Sequence, residues 1–360
     1  PSEETLGAAR VAWVAARVPY QQTEVFRFGN PIVDDWEGKV NAWPLDEGLI
    51  DYVADGSAVN EENAHAGLNV IATPRFTLSG TEVDASAITP DLIASTLHEA
   101  DGIEANVASG YHAIEFLLWG QDLNGTGPGA GARPFTDFAA GEACTGGNCD
   151  RRGDYLRAAT SLLVSDLEVM ATAWAEGGEA RAAVTADPEA GLLAMLTGMG
   201  SLSYGEQAGE RMKLGLMLND PEEEHDCFSD NTHNSHFYDG LGIRNVYTGR
   251  YLRVDGTELK GPSLADLVAA KDAAVDGQLR AELDASVAAL QAIKTAAEAG
   301  FAYDQMLEAG NKEGEALVMG AVNALVTQTA SIERAVTVLG LSKIDFEGSD
   351  SLDNPGAVFQ

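Results

Sequence analysis

The segment Gly110-Tyr111-His112-Ala113-Ile114-Glu115 puts an imidazole and a carboxylate three residues apart, inside an apolar run from Asn106 to Gly120. On a helix, positions i and i+3 share a face, so the two groups can converge on one point. Neither belongs in an apolar wall without a partner, because unpaired polar and charged groups are costly to bury. A metal ion, or a polar partner across a domain cleft, would supply that partner. Gly110 leaves room for a close helix neighbour and Tyr111 offers a hydrogen-bond donor. The plainer reading is a satisfied core histidine.

A second run, Glu222-Glu223-Glu224-His225-Asp226-Cys227-Phe228-Ser229-Asp230-Asn231-Thr232-His233, is dense in the same chemistry. Glu222 and His225 repeat the three-residue spacing, in the carboxylate-then-imidazole order of di-iron bundles. Such oxygen and nitrogen ligands suit iron, zinc or manganese. Alternatively, the glutamates simply favour the positive end of a helix. Asp230 is a further candidate in this run, whereas His233 and His236 read as loop residues. In a third set Glu206 and Glu210 share a face, and Arg211 is suited to hold a carboxylate in its fork, most simply as an internal salt bridge. Glu24 and Arg27 sit among aromatics in Thr23-Glu24-Val25-Phe26-Arg27-Phe28. There is no His-Glu-x-x-His run, no Gly-x-Ser-x-Gly elbow and no phosphate-binding Gly-Lys loop.

The elements that must position these groups are helices. Ser2 caps a run through Ala8 to Arg17 that Pro19 should end. Thr89-Pro90-Asp91 opens another, which breaks at Asp101-Gly102 before a helical run through Val107, Ile114 and Leu118. Asp187-Pro188-Glu189 and Asp220-Pro221-Glu222 repeat the device of an Asp cap, a proline and an acidic first turn. The first of these leads through Leu192 and Leu196 toward Met212. From Ser263 to Leu339 alanine, leucine and valine recur at helical spacing, with breaks near Ala299-Gly300 and Ala309-Gly310. Strand signal is confined to short runs such as Tyr251-Leu252-Arg253-Val254. The expected class is all-α, as two helical-bundle domains, residues 1–178 and 179–360, divided within Glu176-Gly177-Gly178-Glu179. A faint likeness between Gly110–Glu115 and Ser203–Ala208 would fit two bundles related by duplication.

The 360 residues are 45% hydrophobic, enough for a folded core. With 22 basic against 56 acidic side chains the formal charge is −34. That disfavours nucleic acid and anionic membrane surfaces as partners, since both need basic surface, and it suits solubility, cation attraction or a salty habitat. No apolar run of about 18 residues predicts a membrane span. Cys144 and Cys149 bracket a polar loop that a small disulfide could close, which would imply an oxidising compartment; metal ligation by the pair is the weaker alternative. The opening Pro1-Ser2-Glu3-Glu4 carries no signal-peptide pattern, as expected of either a trimmed secreted precursor or a cytosolic protein.

Three stretches together resemble the imelysin family of iron-regulated proteins. They are Trp43-Pro44-Leu45-Asp46-Glu47-Gly48-Leu49-Ile50-Asp51-Tyr52, the run Asn106 to Asp122, and Glu224 to His233. The family's Gly-x-His-x-x-Glu signature falls on Gly110, His112 and Glu115. The resemblance implies a bacterial protein, periplasmic or surface-anchored and made with a signal peptide, built of two helical bundles with a site where they meet. It also implies a role in iron uptake and carries a metallopeptidase label. The expected function is therefore binding of a metal ion, iron or zinc, or of an iron complex in an inter-domain cleft, with membrane or periplasmic iron-uptake proteins as partners. His112 and Glu115 are the first ligand candidates, and Glu24, Glu206, Glu222 and His225 the next. Tyr111, Arg211 and Asp230 complete the candidate site. A non-enzymatic interaction protein with a polar cleft and a zinc-dependent endopeptidase are the alternatives.

Overall fold

The computed structural model describes residues 1–54 and 63–359. Helices dominate, and the strands among the described residues form two antiparallel hairpins, Arg75–Leu78 with Thr81–Asp84 and Arg250–Leu252 with Glu258–Lys260. The fold is all-α, as the periodicity predicts. The chain divides into two compact units that are interleaved in sequence. One comprises Pro1–Val14, Trp36–Leu123 and Ala130–Thr172; the other comprises Ala15–Asp35, Asn124–Gly129 and Ala173–Gln360.

In the first unit the helix Gly110–Trp119 is buried at every position. Its sequence is apolar all round apart from His112 and Glu115, the pattern of an element enclosed by others. It begins at Gly110, three residues after Val107, because Gly110 takes φ +82° and opens the turn. The Ser109 hydroxyl donates to the Lys39 carbonyl at 3.0 Å, and a Cβ on Gly110 would lie 2.5 Å from the Val40 carbonyl oxygen. Only glycine admits that approach. Trp13 donates from its indole nitrogen to the Tyr111 carbonyl at 3.0 Å and stacks edge-on against Trp119.

A buried ionic web ties the stretch ending at Asp51-Tyr52 to the disulfide loop. Arg152 grips Asp51 with two nitrogens, at 2.6 and 2.9 Å. Arg133 bridges Asp51 and Asp137 at 2.8 and 3.1 Å, and the Tyr52 hydroxyl donates to Asp137 at 2.5 Å. Arg152 also donates to the carbonyls of Asp137 and Gly147. Cys144 and Cys149 are disulfide-bonded, with Cys149 at the start of the helix Cys149–Trp174.

The second unit is a bundle of Pro188–Ser201, Thr232–Thr248, Ala273–Glu298 and Lys312–Leu339. Asp187, Asp272 and Asn311 cap three of these helices by accepting backbone N–H bonds. Two apolar clusters fill the unit, one around Met199, Ile243, Leu283 and Ile332, the other around Met212, Leu290, Met306 and Leu325. After Ser201 the chain continues as a π-helix, Leu202–Lys213, a wider coil found often at functional sites. Cβ atoms on Gly205 and Gly209 would meet the Glu347 carbonyl and the Ser349 side chain at 2.6 and 2.3 Å. The tail is fastened there by the Ser351 hydroxyl on the Gly209 carbonyl and by Tyr204 on Asp353.

Several local expectations need correcting. Pro19 does not end the first helix, which runs Glu3–Gln21 and so continues only two residues past the proline. His233 and His236 lie on the helix Thr232–Thr248, not in a loop. Asp220 caps only a three-residue 3-10 turn, Pro221–Glu223, after which Glu224 is extended. Glu222 and His225 therefore do not share a helical face.

Candidate functional site

In the first unit His112 and Glu115 form the expected pair, both essentially without solvent exposure. Glu115 Oε2 lies 3.0 Å from His112 Nδ1. On the other side of the ring, His112 Nε2 lies 3.2 Å from Asn41 Oδ1. Asn41 is held in that orientation because its amide nitrogen donates to Glu37 at 3.0 Å. Both ring nitrogens thus face oxygen atoms of neighbouring side chains, and the proton on each contact sits on the ring or, toward Nδ1, on the Glu115 carboxyl. Two ligand atoms about 2.0–2.2 Å from one ion stand roughly 3 Å apart, the spacing of Nε2 and Asn41 Oδ1. A carboxylate on the far nitrogen fixes the tautomer that leaves Nε2 for a metal. Imidazole nitrogen and amide oxygen are donors that iron(II), zinc and manganese accept, and these two would supply part of the four or more ligands such an ion takes. Tyr111 is buried beside this pair on the same helix.

In the second unit the structure brings together Glu24, Glu206 and Arg211. The buried Arg211 guanidinium contacts Glu24 at 2.8 Å, Glu206 at 2.7 Å and Asp239 at 3.1 Å. Burial alone would lower its pKa, but the carboxylates of Glu206, Glu24 and Asp239 win and raise it well above the usual value. Burial pushes Asp239 the other way, well above the carboxylate range, against the pull of Arg211. Glu206 is held below its ordinary value; burial would raise it, but Arg211 and Arg27 outweigh that. Within the cluster burial favours the neutral form of Asp239, whereas the two arginines favour the ionised form of Glu206. Glu210 is exposed and takes no part.

A separate cluster in the second unit centres on Asp226. Its carboxylate accepts from Arg17 at 2.8 Å, Asn231 at 2.7 Å and Ser235 at 2.5 Å. His225 Nδ1 stands 3.3 Å from the same Arg17 nitrogen. Glu222 is exposed on its turn, and Asp230 takes φ +54° just ahead of the helix Thr232–Thr248. On that helix, burial pushes His233 down to about 4 and His236 down to about 3, so both are neutral imidazoles near neutral pH.

Asn41, Glu37, Arg17, Asp226 and Asp239 escaped the reading of the sequence. Arg17 had a signal, since it falls four residues after the buried Trp13 on one helical face. Asp226 had one in its neighbours. Asn41, at the end of the helix Pro31–Asn41, had none.

The family model for imelysin matches residues 1–332. A curated relative, iron-regulated protein A of Synechococcus elongatus, is 32% identical over 71 residues, a stretch that spans 20% of this chain and 20% of that protein. A solved structure from Parabacteroides distasonis, described as an iron-regulated protein A precursor, superposes with a TM-score of 0.63. It covers 94% of this chain and 84% of that one at 18% identity, a likeness of fold alone. With the family model spanning all but the last 28 residues and the signature residues Gly110, His112 and Glu115 on one buried helix, the chain belongs to the imelysin family.

Proposed function

We propose that this is an exported iron-handling protein that binds a metal ion, with His112 Nε2 as its nitrogen ligand and Asn41 Oδ1 as a neighbouring oxygen donor. Glu115 orients the ring from Nδ1 and balances charge. The observation that carries this reading is the imidazole held between two oxygens, with Nε2 3.2 Å from Asn41 Oδ1. The name of the Synechococcus relative, an iron-regulated protein, supports a link to iron, and the Cys144–Cys149 disulfide supports an oxidising compartment. His225, Glu24, Glu206 and Glu222 remain ligand candidates on their residue types. The finer role, uptake in the periplasm with membrane-bound partners, rests on family membership.

Elemental analysis of protein purified without chelators, with His112→Ala and Glu115→Ala beside it, tests the reading. Wild type is expected to hold stoichiometric metal, His112→Ala to lose it, and Glu115→Ala to bind about 10–100-fold more weakly. Binding should release one proton from the ring, so affinity should rise with pH. Equal metal in wild type and His112→Ala would overturn the assignment. No metal in any form, even after iron loading, would leave His112, Glu115 and Asn41 as a buried polar pairing in an interaction protein. Chelator-sensitive cleavage of an unfolded protein by wild type, absent in Glu115→Ala, would move the reading to the zinc endopeptidase.

A further inference from the structure

The second unit contains a cavity of about 720 Å³ that the metal reading does not use. Its size is that of a pocket for a small organic ligand. Phe26, Phe28, Trp174, Val246 and Met195 give it an apolar wall. The Phe26 and Trp174 rings meet at 5.5 Å, and both Phe26 and Met195 remain more than a third exposed. The polar residues in the wall are partly committed elsewhere: Asn245 donates to Gln22 at 2.9 Å, and Gln22 to the Val18 carbonyl.

The rim is cationic. The hairpin places Arg250 directly opposite Lys260, an unfavourable pairing of like charges unless something offsets it. Glu258 neutralises Arg250 at 2.7 Å, while Lys260 makes no ion pair among the described residues. In a chain with 56 acidic and 22 basic side chains, an uncompensated cation at the edge of an apolar cavity selects for an apolar body with an anionic end. We propose that this cavity binds an amphipathic organic anion, an alkyl chain ending in a carboxylate, with the chain among the aromatic side chains and the head at Lys260.

Calorimetric titration of the full chain with fatty acids of increasing length, below their micelle concentrations, tests this. One saturable site is expected, tightening about fourfold for each added methylene. Lys260→Glu should weaken the acids several-fold while leaving the fatty alcohol of equal length unchanged. Met195→Glu, at the exposed mouth, should weaken both. Absence of saturable binding, or of any dependence on length, would overturn the proposal. So would equal effects of Lys260→Glu on acid and alcohol. Self-association that Met195→Glu abolishes, without fatty-acid binding, would assign the face to a second copy of the chain. None of these outcomes depends on whether His112 binds a metal.

Discussion

Gly110 shows why one residue of the Gly-x-His-x-x-Glu signature has no polar group at all. Its φ of +82° and the Val40 carbonyl 2.5 Å from where a Cβ would stand make it the point on which the helix carrying His112 is docked. Gly110→Ala is expected to cost about 2–4 kcal/mol from backbone strain and steric displacement, seen as a lower midpoint in chemical denaturation. A cost below about 0.5 kcal/mol would mean that the helix start re-forms without strain. At this scale the sequence was informative for types and poor for partners. The His112–Glu115 pairing and the need for space at Gly110 follow from spacing. Asn41 on the second ring nitrogen comes from a residue 71 positions away, and only the fold makes them neighbours. Arg211 was legible as a carboxylate holder, but Asp239 as its third partner was not.

At the scale of elements, the ionic web around Asp51 joins the disulfide loop to the stretch Trp43–Tyr52. Asp51 accepts from both Arg133 and Arg152, and all three are buried. Asp51→Ala would leave two buried guanidinium groups short of their shared carboxylate, at an expected cost of about 3–5 kcal/mol. Thermal unfolding should show it, with a smaller loss for Asp51→Asn, which keeps the size and one acceptor. If Asp51→Ala unfolds like wild type, the web contributes nothing to stability. Helix starts at Thr89 and Asp187 were readable because a capping oxygen and a following proline act locally. The Asp220 device misled because capping chemistry fixes where a turn begins and says nothing of its length. The π-coil at Leu202–Lys213 was invisible to a reading by helical period, and the tail that packs on its Gly205 and Gly209 lies far along the chain.

At the scale of the molecule, a formal charge of −34 makes the folded state repel itself. Added salt screens that repulsion, so the melting temperature should rise between low and moderate sodium chloride. A flat or falling curve would show that local pairing already cancels the repulsion. Among the described residues no helix is long and apolar enough to cross a membrane. The all-α class followed from periodicity alone, whereas the interleaving of the two units did not. Long helices such as Glu3–Gln21 and Cys149–Trp174 contribute to both units, and a linear reading of composition finds breaks only between helices.

The tail gives the end of the family match a different meaning. The likeness to imelysin stops at residue 332, yet Phe346 fills the notch at Gly200, and Glu347 and Ser349 lie over Gly205 and Gly209. These three glycines read as a groove cut for a strap that lies beyond the matched residues. A chain trimmed to the recognised boundary would uncover that groove along the coil that carries Glu206 and Arg211. The end of the family match is therefore no safe place to cut.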